Sequence, residues 1–320
     1  MGKMIAFPAR TCYNDKCGFL SIQQKKAAGK EEYSRPWTLE TCARRRGAIT
    51  SETTTKGGTS ELSSIIEVQD LRKVYRLGTE KVVALGNLNF SVEKGEICCI
   101  LGTSGSGKST LLNMLAGLEK PTRGQVLIHG TPITTLSENK LAVFRQQYTG
   151  FVFQSYNLMP ALTAIENVAL PLMFRGVPPK DRNAEAVKAL EDVGLGNRVK
   201  HKPNQMSGGQ QQRVGIARAF IAKPSVVFAD EPTGNLDTRT TKDVMELMVN
   251  MARAHDLTLV LVTHDRDIAR YADRIIQLID GDIAEDITND ALIPRRGSAP
   301  ASVPDAPPEE APVMEPSLQN

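Results

Sequence analysis

Two glycines, a lysine and a serine at fixed spacing carry the most specific chemistry in this sequence. Gly102, Thr103, Ser104, Gly105, Ser106, Gly107, Lys108, Ser109 and Thr110 read G-x-x-x-x-G-K-S-T. In that pattern the backbone N–H groups wrap an anion and the lysine reaches its terminal phosphates. Glycine is needed because a Cβ would block the approach. The apolar run Ile97–Leu101 before the loop has strand character, and Ser109–Leu118 after it has helical spacing, with Leu111, Leu112, Met114, Leu115 and Leu118 on one side. A strand that turns sharply into a helix aims N–H groups and the positive end of the helix dipole at one point, which suits a phosphate chain.

Other stations supply chemistry for that phosphate chain. Val226-Val227-Phe228-Ala229-Asp230-Glu231 ends an apolar strand in two carboxylates, at the sheet edge where such folds bind ligands. Ser109 and Asp230 suit Mg²⁺, which takes one or two protein ligands plus phosphates. Glu231 can polarise a water for attack on a γ-phosphate; a solubilising acidic pair is the alternative. His264 closes the run Leu259–Thr263 and can donate to a γ-phosphate or serve a structural role. Gln154 ends the buried run Gly150–Phe153. Ser207-Gly208-Gly209-Gln210 opens a helix, as a second anion site or a simple N-cap.

The elements that must position these groups follow from periodicity. From Ile65, Ile66–Gln69 and Lys73–Arg76 read as strand, and Val82–Val92 as a strand pair broken at Gly86-Asn87. Gln125–Ile128 follows the loop's helix, so an antiparallel layer flanks the core. Residues 155 to about 210 form a helical insertion, with helices over Thr163–Phe174 and Asp181–Val193 and turns at Pro171, Pro178-Pro179, Gly194 and Gly196. Three strands ending at Glu231, Asp265 and Ile279, separated by helices over Arg239–Ala254 and Arg266–Ala272, give the alternation of a parallel sheet wrapped by helices. The fold class is α/β.

Bulk properties narrow the partners. The 320 residues carry a net charge of +3, which points to no nucleic-acid partner. No run approaches the length of a membrane span, so the chain reads as soluble. Of the five cysteines, Cys98 and Cys99 read as small core residues. Cys12, Cys17 and Cys42 make neither a disulfide framework nor a zinc site, and a reducing cytosol fits. Residues 1–62, which hold the single Trp37, read as a disordered basic extension; a start codon placed too far upstream explains them equally well. They lack a signal peptide's apolar run. Residues 63–288 form the globular domain, and 289–320 a Pro/Glu-rich disordered tail.

Taken in order, Tyr75, the loop at 102–110, Gln154, SGGQQ at 207–211, VVFADE at 226–231, Gly234-Asn235-Leu236-Asp237 and His264 resemble the ATP-binding-cassette ATPases over about residues 65 to 286. The resemblance implies a P-loop NTPase core and ATP with Mg²⁺ as ligands. It implies that Tyr75 stacks on adenine, that the loop and Lys108 hold the phosphates, and that Ser109, Gln154 and Asp230 arrange Mg²⁺. Glu231 would be the general base and His264 the γ-phosphate sensor. The Ser207–Gln211 motif would cap ATP bound to a second copy, with Asp237 at the dimer seam. Met206 stands where the family usually has Leu, a volume-conserving change. EPTGNLD at 231–237 and FQSYNLMPALTAIENVALPL at 153–172 are most similar to the macrolide-export and lipoprotein-release subgroup. That implies a separate integral-membrane permease with few spans and a place on the cytoplasmic face of the plasma membrane. Leu158–Leu162 is then either a permease contact or core packing. A membrane-partnered regulator of cell division or cell-wall hydrolysis is the alternative, and a soluble cassette acting on DNA or ribosomes a more distant one.

Overall fold

A computed structural model describes residues 64–289; the N-terminal extension, its three cysteines and the C-terminal tail lie outside the described residues. β1 (Ser64–Leu77) and β2 (Glu80–Glu93) lead to β3 (Ile97–Leu101) and α1 (Lys108–Leu115). Next come β4 (Arg123–Ile128), β5 (Thr131–Pro132), α2 (Glu138–Tyr148) and β6 (Thr149–Phe153). α3 (Ala164–Phe174), α4 (Pro179–Asp192) and α5 (Gly208–Phe220) form a helical block. β7 (Val226–Asp230), α6 (Thr238–Ala254), β8 (Thr258–Thr263), α7 (Arg266–Ala269), β9 (Arg274–Ile279) and β10 (Asp282–Thr288) follow.

The main sheet has the order β10-β9-β3-β8-β7-β6. β9, β3, β8, β7 and β6 are parallel, and β10 is antiparallel at one edge. Its central strands are apolar throughout because both faces are covered. Successive side chains alternate between two cores. Cys98, Ile100, Val226, Phe228, Val260 and Val262 join α1 and the second sheet, while Ile97, Cys99, Val227, Ala229, Leu259 and Leu261 join the α6 side. Each fully buried Val, Leu, Ile or Phe among them contributes about 1.5–3 kcal/mol. A four-stranded antiparallel sheet, order β2-β1-β4-β5, is the second layer. A third core, with Val168, Leu190, Met206 and Val214, belongs to the helical block. Arg175 fastens that block by donating to the carbonyls of Gln146, Gln147 and Ala222.

Several local expectations change. β2 is one strand rather than a pair: Gly86 N–H donates to Gly281 O at 2.9 Å, so a backbone partner replaces the break. Pro171 lies inside α3 instead of in a turn, at the cost of the hydrogen bond its missing N–H would have given. α1 ends at Leu115, leaving Leu118 half exposed. α7 stops at Ala269. α2 and β10 have no counterpart in the sequence reading. Only Leu141 and Phe144 of α2 are buried, too few for a clear period, and β10 is a largely exposed, acidic edge strand of the kind that resists further pairing.

Candidate functional site

Strand register builds the site. Leu101 pairs with Thr263, Val262 with Asp230, and Asp230 with Phe153. Four strands from distant parts of the chain therefore end side by side, and the next residues along them are Gly102, His264, Glu231 and Gln154. This is the carboxyl edge of a parallel sheet, where helix N-termini and strand ends leave unused polar groups.

The loop is shaped before any ligand arrives. Gly107 sits at φ 98° as the residue before α1, and a Cβ there would lie 2.6 Å from the Ala84 carbonyl oxygen. β2 therefore forms the floor of the loop. Lys108 is buried, and its Nζ donates to Thr103 O at 2.7 Å, across the loop's mouth. Ser106 is buried with no hydrogen-bond partner for Oγ, the kind of orphan group that a bound anion or water satisfies.

Ser109 Oγ donates to Asp230 Oδ1 at 3.4 Å, linking residues 121 positions apart. Burial raises the Asp230 carboxyl above the usual aspartate range and neighbouring Glu231 adds to the effect, against lowering by Ser109 and Lys108. Hard oxygen donors of this kind fit Mg²⁺, which would remove that cost by neutralising the carboxylate. Glu231 has φ 41°, a left-handed conformation that costs about 1–3 kcal/mol in a non-glycine residue and clusters at functional sites. Its N–H donates to Val262 O at 3.0 Å. Its Oε1 lies 3.0 Å from His264 Nδ1. The glutamate side chain is 23% and the histidine 61% exposed, so the pair faces an open cavity lined also by Gly234, Leu236, Thr241 and Thr263.

The remaining candidates are distributed around this edge. Gln154 Nε2 lies 2.7 Å from where a Cβ would project at Gly234, and Asn235 Nδ2 donates to the Gln154 carbonyl at 3.0 Å. Tyr75 is half-buried and hydrogen-bonds Glu119, with Thr110 also near its hydroxyl. Ser207 caps α5: its Oγ accepts from Gln210 N–H at 3.3 Å, and its own N–H donates to Gln210 Oε1 at 3.1 Å. The N-cap reading of Ser207 is thus realised, and Gln210 is engaged in the same box. Asp237 is the N-cap of α6, accepting from Thr240 N–H and Oγ1, which holds its exposed carboxyl below the usual range. Among the described residues no hydrogen bond joins Ser207–Gln210 to the phosphate loop. α5 packs on β6, three strands from β3, or about 14 Å across the sheet.

The chain is similar to known proteins. The family model described as ABC transporter matches residues 85–234. An ABC transporter ATP-binding protein of Thermotoga maritima is 49% identical over 224 residues, covering 69% of this chain and 94% of that protein. The chain belongs to the ABC transporter ATP-binding proteins. The lipoprotein-releasing system ATP-binding protein LolD of Alcanivorax borkumensis is 46% identical, covering 68% of this chain and 95% of that protein. The macrolide export ATP-binding/permease protein MacB of Rhodopirellula baltica is 44% identical over 70% of this chain, which spans 33% of MacB. Among solved structures, the dimeric post-hydrolysis ATP-binding cassette MJ0796 bound to ADP and Pi superposes with a TM-score of 0.66 at 41% identity. That match covers 70% of this chain and 98% of the neighbour.

Within this ABC cassette, the structure adds residues that motif reading passed over. Gln212 is fully buried, and its Nε2 donates to Pro232 O at 2.5 Å, binding α5 to the segment after Glu231. Arg218 donates to the carbonyls of Asn157 and Tyr156, tying the same helix to the segment after Gln154. Leu158 is a partner of the helical core, whereas Met159 is 52% exposed, so the Leu158–Leu162 stretch divides between packing and surface. Asn167 holds its bend by bonding Met159, Leu162 and Thr163. No helix among the described residues is long and apolar enough to cross a membrane.

Proposed function

We propose that this chain is the ATP-hydrolysing subunit of a membrane export or extraction complex, working as an ATP-closed homodimer on a separate permease. The observation that carries the reading is the meeting of Glu231 and His264 at 3.0 Å beside the Ser109–Asp230 pair. Lys108 leaves Thr103 O for the phosphates, and the N–H groups of residues 102–110 surround them. Ser109 and Asp230, with Gln154, would hold Mg²⁺, which would supply charge neutralisation to the phosphate chain.

Glu231 orients a water and takes its proton, while His264 fixes that carboxylate and donates toward the γ-phosphate. Tyr75 meets the adenine. Ser207 is exposed and Gly208, Gly209 and Gln210 are half-buried on their own chain, and their helix N-terminus would cap ATP held by a second copy, with Asp237 at the seam. The dimeric neighbours support that arrangement. Exposed Met159, Met173 and Phe174 on the helical block support docking of a permease there, at the cytoplasmic face of the plasma membrane. LolD and MacB relatives favour export or release over the division and nucleic-acid alternatives.

Replacing Glu231 by Gln tests the core of this. With ATP and Mg²⁺ the variant is expected to elute as a dimer with kcat lowered by about 10²–10⁴. Monomeric elution with ATP bound refutes the two-copy site. Capturing the same variant from membranes is expected to recover an integral-membrane protein with few spans, and recovery of soluble partners alone refutes the export reading.

A further inference from the structure

We propose that Lys73 and Glu119 are positioning residues that fix the Tyr75 ring as a one-sided platform for the nucleotide base. The proposal rests on the reading of Tyr75 as the base contact and adds the device that orients it. The Tyr75 hydroxyl donates to Glu119 Oε2 at 2.8 Å. Lys73 Nζ approaches the other carboxylate oxygen at 2.7 Å and donates to Lys120 O at 2.7 Å. The same ammonium lies 5.1 Å from the centroid of the Tyr75 ring, within cation–π range.

One carboxylate therefore holds both the tip of the ring and the cation over its face. A phenol alone rotates about two side-chain bonds; pinned at its oxygen and covered on one face, it keeps a single face for a flat aromatic ligand. Lys73 and Glu119 are 13% and 29% exposed, so water competes less here than at an open surface pair. Burial pushes the Glu119 carboxyl up, but the bonds from Lys73 and Tyr75 and the Lys73 charge outweigh it and hold the group below the usual glutamate range. It stays an acceptor across physiological pH.

The anchor also sets distance. Leu118 and Glu119 N–H groups both donate to Asn113 O, hanging Glu119 from the end of α1, whose first residues are Lys108 and Ser109. Tyr75 arrives on β1, from another layer. The Glu119 carboxylate is thus a strut between the base platform and the phosphate loop, so that one nucleotide meets both at once.

The alternative is a plain staple between β1 and the segment after α1, which would not distinguish a base from phosphates. Binding of ATP and of inorganic tripolyphosphate, which has no base, separates the two in the full chain. Lys73→Ala, Glu119→Gln and Tyr75→Phe are each expected to raise the Kd for ATP five- to tenfold and to leave that for tripolyphosphate within twofold. Tyr75→Leu is expected to raise the ATP Kd at least as much. ATP affinity within twofold of the parent in Lys73→Ala and Glu119→Gln, with Tyr75→Leu weakened, overturns the clamp and leaves the base contact standing. Equal weakening toward ATP and tripolyphosphate also overturns it. An unchanged Tyr75→Leu refutes the base contact itself.

Discussion

Adding one methyl group at Gly107 tests whether the phosphate loop is shaped by its floor. An alanine Cβ there would lie 2.6 Å from Ala84 O and 2.9 Å from Leu85 Cδ2, roughly an ångström short of ordinary contact. Leu85 is fully buried, so β2 cannot give way without disturbing the core. A φ of 98° adds about 1–2 kcal/mol of backbone strain for any residue with a Cβ, and overpacking adds about 1–3 kcal/mol. The total of about 2–5 kcal/mol has two outlets. If β2 moves, the nucleotide-free melting temperature falls by about 5–15 °C. If the loop moves, stability survives and ATP affinity falls, at tenfold for each 1.4 kcal/mol. Gly105→Ala is the control: its φ is 83°, but a Cβ there meets nothing within 4 Å, so only the strain of about 1–2 kcal/mol applies. Calorimetric melts and ATP titrations of both variants supply the two losses, and their sum should be larger for Gly107→Ala by the overpacking component. Equal sums for the two variants, or a Gly107→Ala protein matching the parent in both assays, would refute the claim that β2 shapes the loop.

Two further outcomes concern charge. Asp230, whose carboxyl is raised mainly by burial, binds more protons folded than unfolded between its unfolded and folded pKa values. Stability therefore falls as pH rises through that window, and the penalty is fully present above the folded pKa. Asp230→Asn is expected to melt higher than the parent at pH 7 without nucleotide, to lose that advantage below the ordinary aspartate range, and to lose Mg²⁺-dependent ATP binding; a lower melt at pH 7 counts against it. Arg274 forks onto both Asp286 oxygens at 2.6 Å and donates to Ser91 O at 2.8 Å, joining β9 to β10 and β2. Arg274→Ala should cost about 2–3 kcal/mol, read as a denaturant midpoint shift, and Arg274→Lys should recover little because an ammonium lacks the planar fork.

Contiguous signals were legible in the chain itself. The loop at 102–110 is a run of neighbours, and its strand–turn–helix context spans a single supersecondary unit. The apolar runs of β3, β7 and β8 announce strands covered on both faces, and Glu231 and His264 directly follow the last two. Even the N-cap at Ser207 is local, because Gln210 completes its box three residues on. Weakly patterned segments were not legible: α2 buries too little of its surface, and β10 is an acidic edge whose pairing with β9 depends on a partner rather than on its own composition.

What only the tertiary structure decided is adjacency. Sequence order places Gln154, Asp230 and His264 far from Gly102, and nothing local states that β8 lies between β3 and β7. That order follows from which apolar faces pack together across two cores, a non-local sum no motif contains. It brings Glu231 to His264 and Ser109 to Asp230, while the packing of the second sheet sets Tyr75 against Glu119. Residue types determined which chemistry was available to this protein; strand order determined which groups could perform it together.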